Sequence, residues 1–306
     1  MVDRISFHDQ ISRNKLKSFF LLLIIFLVFI GLGFIISLAL DPTYFTFIMI
    51  IATIISITYI WVGYYNSHKI AIKSVNAKLA DRNEYSEYHN IVEGLCLASG
   101  MPKPDLYIMQ NDSINAFASG RNPENAVICI TTGALYKLDK HELEGVLAHE
   151  LSHIANYDIR FMTLTAVLVG MIAIISQIFL RSLFWSSLSS GRDREKSQII
   201  FIAIGILLAI LAPIVVTLVQ LAISRKREYS ADASAVKFIR SPTGLIKALK
   251  KIQEEHLSSR DLQEQKKNIN KAIAPLFLSD PFKSRVEGFF QTHPPLDRRI
   301  LVLERM

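Results

Sequence analysis

The chain has 306 residues, 51% hydrophobic and 20% charged, with a formal net charge of +7 and a mean hydropathy of +0.31. That hydropathy excludes a disordered chain, a collagen-like chain and a simple soluble enzyme. The basic excess lies largely beside apolar runs, where it sets membrane orientation and implies no nucleic-acid partner.

Four stretches carry no Asp, Glu, Lys, Arg or His: Ser18–Leu40, Thr43–Tyr65, Phe161–Leu180 and Ile199–Ser224, of 23, 23, 20 and 26 residues. About 20 helical residues cross the ~30 Å hydrocarbon layer, so each is long enough to span. Arg13, Lys15 and Lys17 precede the first run and Ser37-Leu38-Ala39 resembles a signal cleavage site. A cleavable core is only ~7–15 residues, however, and a second run follows at once. The expectation is an uncleaved hairpin over residues 1–66, with helices about 18–40 and 43–65 turning at Asp41-Pro42. Arg4, Arg13, Lys15 and Lys17 on one side, and Lys69, Lys73, Lys78 and Arg82 on the other, place both hairpin ends in the cytoplasm.

Residues 67–160 form a first water-exposed block. Tyr85, Tyr88, Ile91, Val92 and Leu95 recur at helical spacing until Gly100 and Pro102 stop the pattern. Leu106–Met109, Ile114–Ala118 and Ala126–Thr131 read as short strands of a small meander, with turns at Asn111-Asp112-Ser113 and Arg121-Asn122-Pro123. Asp139 with Glu142 three residues later reads as a capping box opening the next helix, on which Leu143, Leu147 and Ile154 line one face and His149 and His153 a neighbouring one. A second hydrophobic hairpin occupies 161–224, with helices about 161–180 and 199–224. Its connecting loop holds Arg181, Arg192, Arg194 and Lys196, against the positive-inside rule, so this pair is anchored partly in protein or does not cross fully. In the last block, 225–306, Thr243–Ile252 is amphipathic and Glu254–Lys267 polar enough to be a solvated face. Cys96 and Cys129 form no CxxC and read as small core hydrophobes of a reducing compartment.

His149-Glu150-Leu151-Ser152-His153 is an H-E-x-x-H run. Positions four apart on a helix project side by side, so both imidazoles can reach one Zn²⁺ at ~2.0–2.1 Å. Zinc draws the pKa of water towards ~7, and Glu150 is placed to take its proton as general base and return it to a leaving amine. A catalytic zinc needs a third protein ligand and an open position. Glu228 follows the fourth apolar run and returns to the side of His149; Asp232, one turn later, fits a carboxylate that orients a ligating histidine. Spacing alone serves equally well a juxtamembrane cluster in which Arg225, Lys226 and Arg227 pair with these acids.

Several separated pieces together resemble the HtpX-type membrane zinc metalloproteases, relatives of the CAAX prenyl endoproteases. They are Asn115-Ala116-Phe117-Ala118, Ile130-Thr131-Thr132-Gly133, His149–His153, Ser224–Asp232, and Thr292-His293-Pro294-Pro295 with Arg299. The resemblance implies an α-helical membrane protein with a small α+β gluzincin-like zinc metalloprotease domain, assembled from both soluble blocks. It implies one zinc per chain on His149, His153 and Glu228, Glu150 as general base, and Asp232 behind a ligating histidine. It further implies that Asn115 and Ala116 pair with an extended substrate, that His293 donates to the oxyanion, and that Arg299 supports it. The implied role is endoproteolysis of misfolded or damaged membrane proteins in envelope quality control and stress response. The implied place is a cell inner membrane, multi-pass, with the site facing the cytoplasm. CAAX-type processing and a non-enzymatic membrane protein with structural zinc are the alternatives, and oligomeric state is not legible.

Overall fold

The computed structural model describes residues 7–39, 42–188, 205, 225–258, 276–278 and 295–306. All of the fourth apolar run except Gly205 lies outside these residues, as do most of 259–294 and His293.

The apolar runs form long helices. Helix α1 (Phe7–Ala39) and α2 (Phe45–Tyr65) are joined through a short turn of 3-10 helix at Pro42–Tyr44 and pack along each other. Their outward faces leave Phe19, Phe20, Ile50, Ile54 and Trp61 exposed, as lipid-facing residues should be. Helix α3 (Ser67–Ser74) leads into the soluble block, and the third apolar run lies in α7 (Asp158–Leu188). Three described helices are long and apolar enough to cross a membrane: Asn14–Ser37, Phe45–Tyr65 and Asp158–Gln177. Protein buries 62% of the third, against 22% and 11% of the first two. Helix α7 is thus held largely by protein contacts, including a hydrogen bond from the Tyr59 hydroxyl to the Val167 carbonyl (3.0 Å).

The sheet contains β1 (Lys78–Leu79), β2 (Asp105–Met109), β3 (Ala116–Gly120) and β4 (Ala126–Thr131) in the order β1-β2-β4-β3. It is not the meander expected from sequence. β2 runs parallel to β4 (Tyr107 opposite Cys129), while β3 lies antiparallel on the outer side of β4 (Phe117 opposite Cys129). The cause is local. The Asn111 carbonyl accepts from the Gly133 N–H (2.8 Å) and the Thr132 hydroxyl (3.0 Å), tying the end of β2 to helix α5 (Thr132–Lys137). The chain must then pass β4 before β3 can pair.

All six β4 residues are buried, as in a strand covered on both faces. One face packs on α4 (Ser86–Ser99) through Tyr88, Ile91, Val92 and Leu95. The other packs on α7 and α1 through Phe117, Val127, Cys129, Phe161, Leu21 and Ile25, so the membrane helices share the sheet's core.

Helix α6 (Lys140–Ala155) carries the H-E-x-x-H run and opens as expected. Asp139 Oδ1 accepts from the Glu142 N–H (2.9 Å), and Glu142 Oε2 accepts from the Asp139 N–H (2.8 Å). Every residue from Gly145 to Ala155 is buried, because α8 (Arg225–Ile239) and α9 (Thr243–Ser258) cover the faces the sheet leaves open. The α6–α9 crossing requires two glycines: a Cβ on Gly145 would stand 2.5 Å from the Leu245 nitrogen, and one on Gly244 would overlap the His141 carbonyl. Helix α9 runs on to Ser258, so the start of the segment expected as a solvated face is ordered helix. There Glu255 accepts from the Ile114 N–H (2.8 Å) and pairs with Lys137 (2.6 Å). The last described helix is α10 (Leu296–Leu303).

Candidate active site

On α6, His149 and His153 place their Nε2 atoms 3.1 Å apart. Two imidazoles bound to one tetrahedral zinc at ~2.0–2.1 Å would stand about 3.3 Å apart. Glu228, in the first turn of α8, brings Oε2 to 3.6 Å from His149 Nε2 and Oε1 to 3.7 Å from His153 Nε2. Among the described residues this trio is the group able to hold a metal ion, and all three are buried.

Each imidazole has a carboxylate behind it. Asp232 Oδ1 lies 2.9 Å from His149 Nδ1, and Asp158 Oδ2 lies 3.2 Å from His153 Nδ1. With Nδ1–H donating to a carboxylate, the Nε2 lone pair is free to face a cation, which is the usual way ligating histidines are oriented. Asp232 lies behind His149, one turn beyond Glu228 on the same helix. The sequence signal for Asp158, absent from the expected site residues, is an acid five residues past the second histidine, opening α7.

Arg299 is completely buried, grips Asp232 through Nε–Oδ2 (2.9 Å) and Nη2–Oδ1 (2.6 Å), and reaches Glu228 Oε2 at 3.4 Å. Its described contacts therefore run to Asp232 behind His149, to His149 itself and to Glu228 of the trio, whereas its expected support of His293 falls outside the described residues. Arg227 pairs with Asp158 Oδ1 at 3.1 Å. The donor set fits a divalent cation by charge as well. Four acids, Glu150, Asp158, Glu228 and Asp232, are buried against two buried guanidiniums, Arg227 and Arg299, an excess of acidic groups that suits a cation.

Protonation follows from these neighbours. For His149, burial and the Arg299 charge act downwards, but Asp232 and Glu228 lift its pKa to about 9 in the metal-free chain. Burial raises the Glu150 carboxyl above its ordinary range, opposed in part by the histidines and by the Ala118 N–H. Burial also acts upwards on Asp232, yet the Arg299 guanidinium and His149 together outweigh it and hold that carboxyl low.

Asn115 and Ala116 sit at the start of β3, the edge strand beside α6. The Asn115 N–H and carbonyl face β4 through Thr131. On the outer edge, the Ala116 N–H donates to Asn115 Oδ1 (3.0 Å), and the Ala116 carbonyl accepts from the Leu278 N–H (2.8 Å). Phe277 forms an antiparallel bridge to Phe117 beside it.

A buried trio able to hold a metal, with Glu150 beside it, in a chain that also has three helices of membrane length, defines the class together with the family match: a membrane metalloprotease. Residues 82–306 match the family described as Peptidase family M48, and the chain belongs to that family. It is similar to the protease HtpX homolog of Caldanaerobacter subterraneus subsp. tengcongensis, 43% identical over 261 residues that make up 84% of each chain. It is also similar to the protease HtpX homolog of Listeria monocytogenes, 38% identical over 310 residues covering 97% of this chain and 99% of that one. The crystal structure of S. mikatae Ste24p superposes with a TM-score of 0.51 at 20% identity, over 92% of this chain and 62% of that chain. The present chain thus spans less than two thirds of Ste24p, and that likeness is one of fold. Family membership implies a metal, generally zinc, and removes the non-enzymatic reading.

Proposed function

We propose that the chain is a zinc endopeptidase of a cell inner membrane that cuts exposed segments of misfolded or damaged membrane proteins, as part of envelope quality control and the stress response. Its catalytic part is drawn from residues 67–160 and 225–306, which follow the hairpin of 1–66 and are separated in the chain by the second hydrophobic hairpin of 161–224. The basic flanks of the first hairpin support a cytoplasmic site. The observation that carries the reading is the convergence of His149, His153 and Glu228, with Glu150 next to the first of them on the same buried helix.

Zinc, when bound, supplies a Lewis acid that polarises the scissile carbonyl and acidifies water. His149, His153 and Glu228 hold it, and Asp232 and Asp158 keep the two imidazoles turned towards it. Glu150 takes the proton of the attacking water and delivers it to the leaving amine nitrogen as the C–N bond breaks. A carboxyl lifted by burial suits that exchange near neutral pH. Arg299 balances Asp232 and Glu228, and the donor to the developing oxyanion is His293.

An extended substrate backbone adds to the outer edge of β3 at Ala116. Because Leu278 already holds the Ala116 carbonyl, the incoming strand exchanges one hydrogen bond for another. Pairing there fixes register more than it adds affinity, and it demands little of the substrate's sequence. Glu150→Gln tests the reading: bound zinc should stay at one per chain while cleavage of unfolded casein falls by ~10³-fold. Undiminished cleavage would remove Glu150 from the mechanism.

A further inference from the structure

Asp158 is more than the carboxylate behind one histidine. Its Oδ2 faces His153 Nδ1 (3.2 Å), while its Oδ1 takes a second donor from far away in the chain: Asn14 Nδ2, at 2.8 Å. The same Nδ2 donates to the Asn156 carbonyl at 3.1 Å, so both amide hydrogens of Asn14 are spent on one short stretch. Asn14 is buried, 7% exposed, and it opens the first helix window long enough to cross a membrane.

That stretch is the elbow between α6 and α7, and it is under backbone strain. Tyr157 has φ +58°, a left-handed conformation that an aromatic residue adopts only when its surroundings hold it there. Helix α1 supplies part of the hold. Beyond the two bonds of Asn14, the Lys15 ammonium lies 4.8 Å over the Tyr157 ring. From the other side Arg227, next to Glu228, pairs with Asp158 Oδ1 and stacks on Phe161 (5.2 Å). The direction in which Asp158 points therefore depends on α1 being seated against the elbow.

We propose that Asn14 is a positioning residue of the metal site, acting through Asp158 on His153, so that the site is complete only when the first membrane helix is docked. The proposal rests on the assignment of His149, His153 and Glu228 as metal ligands. Its chemistry is that of an outer-shell hydrogen bond: Asp158 fixes the proton on His153 Nδ1, and Asn14 fixes Asp158. Loss of such a partner lowers metal affinity by ~10–100-fold. A peptidase of the membrane surface that is weakly loaded until its anchor is seated would be restrained during synthesis and insertion.

The test uses the full chain in detergent, with zinc affinity measured by competition against a chromophoric chelator and the ligand field read from the visible spectrum after cobalt substitution. Asn14→Leu removes both donors and makes the helix more apolar, so membrane insertion is retained; Asn14→Ala removes them without adding bulk. Both should bind zinc about tenfold more weakly and shift the cobalt bands. Asp158→Asn turns an amide hydrogen towards His153 Nδ1 and drives the imidazole proton to the metal-facing nitrogen, so its affinity should fall by ~10–100-fold. The double variant Asn14→Leu with Asp158→Asn should bind as weakly as Asp158→Asn alone, because the two act in series. Additive losses, or unchanged affinity and cobalt spectrum in both Asn14 variants while Glu228→Ala loses zinc, would overturn the proposal. Unchanged zinc affinity in Glu228→Ala would instead overturn the ligand assignment, and this inference with it.

Discussion

The two histidines of α6 are held from opposite quarters of the molecule. His149 is backed by Asp232 and Arg299, which come from α8 and α10 in the water-exposed part and are completely buried. His153 is backed by Asp158, Arg227 and Asn14 at the elbow where α6 passes into the membrane-length helix α7, beside the start of α1. The first is a closed ion pair inside a soluble core; the second is a junction between that core and the membrane helices. The contrast teaches that this site is not a soluble protease domain with an anchor attached, because one of its two imidazole supports is rooted in the anchor.

The comparison breaks most severely at Asp232. Its removal in Asp232→Ala leaves the Arg299 guanidinium buried with its bidentate partner gone, and an unpaired buried charge costs about 3–5 kcal/mol. Chemical unfolding in detergent should show a loss of that size. Stability within ~1 kcal/mol of the parent would mean that Glu228 and solvent suffice to hold Arg299.

pH sharpens the same side. In the metal-free chain His149 titrates at about 9, above the ~6.5 of an unfolded histidine. A raised folded-state pKa gives stability that is full below ~6.5 and is lost as pH rises through ~9, here up to about 3 kcal/mol. Glu150, lifted by burial, acts in the same direction. Melting of chelator-treated protein should therefore move down between pH 6.5 and 9, while zinc affinity, which requires neutral imidazole, rises over the same interval. A flat or rising melting profile without zinc would contradict the charge arrangement described for His149.

Further from the acids, the α6–α9 crossing tests how tightly the soluble quarter is packed. Gly145→Ala pushes a methyl group into the backbone of Leu245, and overpacking of this kind costs ~1–3 kcal/mol. Unchanged stability would show that the crossing can open. The membrane quarter should respond least. Tyr59→Phe deletes one hydrogen bond to the Val167 carbonyl, worth ~0.6 kcal/mol between membrane helices, and should leave the melting point almost unmoved. A large drop would mean that α2 and α7 depend on that bond far more than on packing.

What could be read from the amino acids follows the range of the interactions. The capping box of Asp139 and Glu142 and the His149–His153 pair are local, fixed by three- and four-residue spacings on one helix, and the structure places them as expected. The apolar runs are equally local, although α1 starts at Phe7, well before the charge-free stretch begins. Asp232 was legible because it stands one turn from Glu228. Asp158 and Asn14 were not, since nothing in a string of residues ties position 14 to position 158; only the docking of α1 on the elbow does. The strand order failed for a similar reason. Adjacent short strands read as a meander, and the Asn111 carbonyl, by bonding Gly133 and Thr132, places β2 against β4 instead. The polar run after Glu254 read as solvated because its apolar content is low, yet Glu255 is drawn into the fold by one N–H and one ammonium.

X-ray absorption at the zinc edge, on detergent-purified protein and on Glu228→Ala, addresses the metal centre itself. The parent should show two imidazole nitrogens and carboxylate oxygen at ~2.0–2.2 Å with no sulfur, and the variant should lose its zinc or replace that oxygen by solvent at much lower affinity. A sulfur shell, or the same spectrum and affinity in both proteins, would contradict a centre made by His149, His153 and Glu228.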